Sequence, residues 1–189
     1  MFRTQDFFYG ILMCGLSFSL VMFYNLCGPF IIEHKLGFSA VTIGYVLLFM
    51  GVGWMGGGFF GKSFNQQIFL PKLRNANFFQ LAFIVVMFAS SFYVSNLFTL
   101  AIFAFLLHFT ARFIFNNYFT YCIGRFPNSA GIAGGLTGGV AYVLTSAISY
   151  GVVALLRSTS QIYLAIGYFI NSFLGFIILS VTKIKKAHI

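Results

Sequence analysis

A chain of 189 residues that is 60% hydrophobic and 7% charged is not an ordinary soluble domain, in which charged side chains make up about a quarter of the residues. Its net charge of +9 suggests a nucleic-acid partner at first sight. The basic residues, however, stand at the ends of apolar runs rather than in one patch, which argues against nucleic acid and for anionic lipid headgroups.

Six apolar runs follow one another, at about residues 7–32, 41–60, 78–95, 97–121, 132–156 and 162–182. A hydrocarbon core about 30 Å thick needs about 20 helical residues, and each run is near or above that length. With the N-terminus in the cytoplasm, Arg3, Lys62, Lys72, Arg74, Arg125, Lys183, Lys185 and Lys186 fall inside, and only Lys35 and Arg157 fall outside. The reverse threading inverts that bias, so the expectation is an inner-membrane protein with both termini cytoplasmic.

The first run is too long for the apolar part of a signal peptide, about 7–15 residues, and no small-x-small cleavage site follows it, so it is expected to stay. Tyr24 and Asn25 precede Gly28–Pro29, where a helix break would free backbone groups to line a cavity; a plain helix end is the alternative. Glu33 and His34 then fall in an outer loop. The second run carries Gly53, Gly57 and Gly61 at a spacing of four, a seam that lets helix backbones approach closely in lipid. A cytoplasmic loop is expected over 61–77, and the outer turn at Ser95–Asn96 is almost absent, so runs one to three and four to six read as two three-helix units.

The fourth run holds Arg112, 13 residues before Arg125 and therefore roughly 20 Å up the helix, near mid-membrane. An arginine at that depth costs at least about 2.5–3.5 kcal/mol, which directs it to a cavity or a partner. His108 and Asn116 flank it at i−4 and i+4, giving a polar stripe suited to an anionic substrate group or a carboxylate of another subunit. A structural arginine satisfied by carbonyls or water is the alternative. The fifth run opens with Gly131, Gly135 and Gly139, again spaced by four and at a depth like that of the first seam. The two seams serve either packing within one bundle or contact with a second six-helix unit. Asn171 is the polar residue of the sixth run.

The acids, Asp6 and Glu33, lie at the mouths of the first run, so no carboxylate proton relay crosses the membrane. His108 is the only group inside a run that titrates near neutral pH. Cys14, Cys27 and Cys122 have no CxxC spacing, and His34, His108 and His188 are scattered, so neither disulfide, metal nor cofactor is expected. The 28 phenylalanines read mainly as lipid-facing filler, with cation–π walls as the alternative. No Gly-x-Ser-Gly run or intramembrane acid pair supports an enzyme.

Two segments resemble a known family. Tyr24-Asn-Leu-Cys-Gly-Pro-Phe-Ile-Ile-Glu33, with Leu36-Gly-Phe-Ser39 and Gly44, is similar to the first helix and outer loop in the second half of bicyclomycin-resistance-like (Bcr/CflA-type) drug/proton antiporters of the major facilitator superfamily. Phe126-Pro-Asn-Ser-Ala-Gly131, with Ala133, Leu136 and Gly138, resembles the entry to that family's penultimate helix, and Asn117 falls where an Asn is frequent. Gly28 stands where the family has Ser, and the Gly-x-x-x-Asp-x-x-Gly-Arg-Arg loop of a first half is missing. The resemblance implies an all-α integral membrane fold of six transmembrane helices in two three-helix repeats, one half of a major-facilitator-type transporter. It also implies export of drug-like or small amphipathic molecules, coupled to protons if a second half supplies the relay. The cavity would be lined by Tyr24, Asn25, His108, Arg112, Asn116 and Asn117, with Arg112 placed there by the physical argument and not by the resemblance, and the partner is a second copy or a complementary N-terminal half. A non-transporting remnant or accessory protein from a split gene is the alternative.

Overall fold

The structure is a computed structural model that describes residues 1, 4–64, 68–156 and 160–182, and every element among them is helical. The helices are α1 (Gln5–Phe30), continued by a π-helical turn (Ile31–Lys35), α2 (Ala40–Ser63), α3 (Phe69–Ser90), α4 (Leu97–Gly124), α5 (Ala130–Leu156), preceded by a 3-10 turn (Pro127–Ser129), and α6 (Gln161–Val181). All six are long and apolar enough to cross a membrane, which makes this a multi-pass membrane protein. Lys62, Lys72, Arg74 and Arg125 gather at the end of the bundle where α1, α3 and α5 begin, and Lys35 lies at the other. Arg3, Arg157, Lys183, Lys185, Lys186 and His188 lie outside the described residues.

The first helix does not break at Gly28–Pro29. Pro29 lacks the N–H that would reach the Asn25 carbonyl, and the chain keeps its helical course by widening one turn later. There Leu36 N–H reaches back five residues to the Ile31 carbonyl at 3.1 Å. Glu33, His34 and Lys35 therefore extend α1 rather than forming a loop.

The loop expected over 61–77 is mostly helix as well. Pro71 lies in the first turn of α3, where a missing N–H has no intrahelical role. Of the polar residues near the start of this helix, Arg74 and Asn75 are exposed, whereas Asn77 and Gln80 are buried, and Asn77 Nδ2 donates to the Ser172 carbonyl of α6 at 3.5 Å. At its far end α3 stops at Ser90, five residues short of the expected limit, as Ser90 and Ser91 hydroxyls both donate to the Met87 carbonyl. Asn96 and Thr99 then open α4 with a capping box.

The most buried helix, α1, packs against α4 at the centre, α5 lies along α1, and α2 lies along α4. Across the other side, α3 packs on α4 and α6, and α6 on α1. Glycine decides one of these contacts. A methyl group built at Gly57 overlaps the Phe109 carbonyl of α4, and one at Gly53 comes within 2.8 Å of the Phe105 ring. The Gly53–Gly57–Gly61 seam is therefore consumed inside the chain, the first of the two uses the sequence leaves open for it.

The fifth helix uses a different seam from the one expected. Ala133, Thr137, Ala141, Thr145 and Ser149, spaced by four, are its buried residues. Thr145 Oγ1 donates to the Gly15 carbonyl at 3.0 Å and Ser149 Oγ to the Ser19 carbonyl at 3.3 Å, fastening α5 to α1. Gly131, Gly135 and Gly139 face outward with nothing within 4 Å of an added methyl group.

Candidate functional site

Helices α2, α4, α1 and α5 form an arc, and the side chains along its inner line meet in one aromatic cluster. Phe18 of α1 packs against Trp54 of α2 at 5.6 Å between ring centres, against Phe115 of α4 at 5.8 Å and edge-on to Tyr142 of α5 at 5.3 Å. Trp54 and Phe115 complete the ring of contacts at 6.1 Å. Four helices thus contribute one aromatic residue each at a common depth. Counted from the basic end of their helices, the four stand nine to thirteen residues in, or roughly 14–20 Å. Phe18, Trp54 and Phe115 are half-buried and Tyr142 is 63% exposed, so the cluster lies open to the outside of the bundle.

Arg112 supplies the charge. Its guanidinium carbon lies 4.9 Å from the centre of the Trp54 ring and 5.6 Å from that of Phe115. Such contacts are worth about 0.5–2 kcal/mol each, more as water is excluded, and they orient the cation without using its five N–H donors. Gly58 makes room for it: a methyl group there would come within 3.2 Å of Arg112 Nε and 4.0 Å of Asn116 Nδ2. No hydrogen bond or ion pair engages Arg112 among the described residues. The sequence has two acids; Asp6 accepts from Arg125 Nε at 3.0 Å and from the Tyr121 hydroxyl at 2.8 Å, and Glu33 stands at the opposite end. A half-exposed cation with all its donors open, walled by aromatic faces, has the chemistry to accept a group that is anionic at one end and apolar around it.

The polar stripe expected along α4 does not share one surface. Arg112 and Asn116 meet beside Gly58, whereas His108 is buried between α4 and α1, with Nδ1 at 2.8 Å from the Ala104 carbonyl and its ring edge-on to Tyr24. Among the described residues neither His108 Nε2 nor the Tyr24 hydroxyl has a partner. Asn117 turns to the Phe113 carbonyl of its own helix at 2.8 Å, and Asn25 is exposed near the far end of α1. Of the six residues expected to line a cavity, two stand at this site. In the sequence Phe18, Trp54, Phe115 and Tyr142 are not separable from an aromatic excess that reads mainly as lipid-facing filler. The single tryptophan, opposite a mid-span arginine, was the available signal.

A second polar cluster joins α1, α3 and α6. Asn171 Nδ2 donates to Ser19 Oγ, and Asn77, Gln80 and Ser172 lie beside it, all buried. Cys14, Cys27 and Cys122 are buried too. Among the described residues no group of His, Cys, Asp and Glu is placed to hold a metal. Comparison with known proteins gives no match: no family model fits the chain, and no curated protein or solved structure matches it.

Proposed function

We propose that this protein is one six-helix half of a major-facilitator-type transporter that carries small amphipathic molecules, bound through an anionic group at Arg112. The observation that carries this reading is the unpartnered guanidinium held half-exposed against Trp54 and Phe115, two members of an aromatic cluster drawn from four helices. The packing pattern supports the repeat: exchanging α1 with α4, α2 with α5 and α3 with α6 turns the α1–α5 contact into α4–α2 and the α1–α6 contact into α4–α3. Such an exchange is the mark of two three-helix units related by a pseudo-twofold axis.

A site of this kind works only when a second half covers it, because a cation facing lipid tails is costly. The outward faces of α2 and α5 border the cluster and suit that contact. Gly135 and Gly139 stand seven and three residues before Tyr142, hence on its side of α5. Met55 and Phe59 of α2, 61% and 63% exposed, lie at about the same depth as Gly139 and Gly135. In a parallel twofold pair the large side chains of α2 enter the glycine groove of α5, with the basic end of the bundle in the cytoplasm of a cell whose inner membrane holds the protein.

The test is reconstitution into proteoliposomes loaded with a fluorescent aromatic sulfonate and with a cationic dye of equal size. Efflux of the sulfonate that disappears in Arg112→Leu supports the reading. No Arg112-dependent flux of either dye, from a protein that stays folded, overturns it in favour of a non-transporting accessory protein.

A further inference from the structure

A cavity lies away from Arg112, in a groove between α2 and α3 floored by α4. Its volume is about 450 Å³, and its walls are phenylalanines of all three helices: Phe60 and Phe64, Phe79 and Phe83, Phe109 and Phe113. Helices α2 and α3 scarcely touch, and Phe60 and Phe79 are about half exposed, so the groove opens sideways onto the membrane-facing wall of the bundle. Lys72 and Asn75 stand in it at the basic end. From Lys72 to Phe83 the groove follows α3 for eleven residues, or roughly 16 Å, which is one leaflet of a hydrocarbon core about 30 Å thick.

Lys72 sets the chemistry of the occupant. It is only 8% exposed, its Nζ donates to the Phe64 carbonyl at 3.3 Å, and it stands 5.8 Å from the centre of the Phe69 ring. No carboxylate pairs with it among the described residues. A buried ammonium with one carbonyl partner has donors to spare and a charge to be matched. Lys62 and Arg74 at the same end add to the positive field.

We propose that this groove is a binding site for an anionic phospholipid, with one acyl chain lying along the phenylalanines and the headgroup phosphate on Lys72 and Asn75. The occupant must be apolar over one leaflet and anionic at the basic end, and it must enter from the side, in the membrane. A phospholipid of negative headgroup meets all three conditions. A zwitterionic lipid brings a cation of its own against Lys62, Lys72 and Arg74.

The full chain, reconstituted in vesicles of equal phosphatidylglycerol and phosphatidylcholine, is extracted in mild detergent and its bound lipid counted by native mass spectrometry. Wild type retains one phosphatidylglycerol, enriched about fivefold over phosphatidylcholine, the ratio that one near-surface cation supplies. Lys72→Gln brings that ratio to about one and Lys72→Arg keeps it, separating a lost charge from a disturbed helix. Arg74→Gln removes the same charge from an exposed position and lowers the ratio much less than Lys72→Gln does, while Ala76→Phe fills the groove and expels the lipid. Equal effects of Lys72→Gln and Arg74→Gln would mean diffuse attraction to the membrane surface and overturn the site. So would lipid retained in Ala76→Phe, or no enrichment in wild type.

Discussion

The guanidinium of Arg112 lies 4.9 Å from the centre of the Trp54 ring, α4 against α2. This contact keeps a costly mid-membrane charge half-buried while leaving its hydrogen-bond donors open. Trp54 is the only tryptophan of the chain, so the site carries its own reporter.

Arg112→Leu should therefore change the emission of Trp54 and abolish efflux of an anionic probe, while Arg112→Lys should retain part of the efflux because charge survives without the planar fork. Unchanged Trp54 emission in Arg112→Leu would show that the two side chains are apart in the membrane. A protein that no longer inserts would make the arginine structural.

Gly57 and Gly139 should respond differently to the same methyl group. At Gly57 it meets the Phe109 backbone, and α2 must move off α4; at Gly139 nothing lies within 4 Å. Gly57→Ala should cost about 1–3 kcal/mol, as overpacking does, and lower the folded yield in detergent. Gly139→Ala should leave the isolated chain as stable as wild type. Equal thermal stability of the two variants would contradict the packing of α2 on α4.

Pairing through the outer faces predicts a cross-link. In a background with Cys14, Cys27 and Cys122 replaced, cysteines at Met55 of one copy and Gly139 of another should form a disulfide in membranes, whereas a cysteine at Gly57 should not react. A cross-link at Gly57 instead of Met55 would reverse the assignment of inner and outer faces on α2.

Asp6 ties the start of α1 to the end of α4 through Arg125 and Tyr121. Asp6→Asn weakens a charge-assisted bond to a half-exposed arginine and should cost about 1 kcal/mol. That is a fall of about 2–4 °C in the unfolding midpoint for a chain of this size. A combined Asp6→Asn, Arg125→Gln variant should lose little more than either single change, and full additivity in thermal melts would show that the pair does not act together.

Membrane orientation is testable by labelling. A single cysteine at Arg74 should react with an impermeant maleimide only after permeabilisation, and one at Tyr93, on the short turn after α3, should react in intact cells. Equal reaction of both in intact cells would contradict the threading.

The six helices were legible in the sequence because a bilayer imposes one simple requirement, about 20 apolar residues per crossing, that needs no knowledge of partners. Arg112 was legible for the same reason, as a charge where charge is expensive. The ends of the helices were less so. The start of α3 was hidden because Pro71, the basic residues and Asn77 look like loop residues until α6 is there to cover Asn77, and Pro29 reads as a break until a π-helical turn absorbs it.

What only the tertiary structure decided is which face of each helix meets which neighbour. Both glycine seams obey the same spacing rule, yet one is pressed against the Phe109 backbone and the other is open. The hydrophobic signal cannot separate them, because a face toward lipid is as apolar as a face toward protein. For the same reason Phe18, Trp54, Phe115 and Tyr142 pass as lipid-facing residues in one dimension. Their meeting around Arg112 depends on the rotation of four helices, which close packing sets and hydropathy does not record.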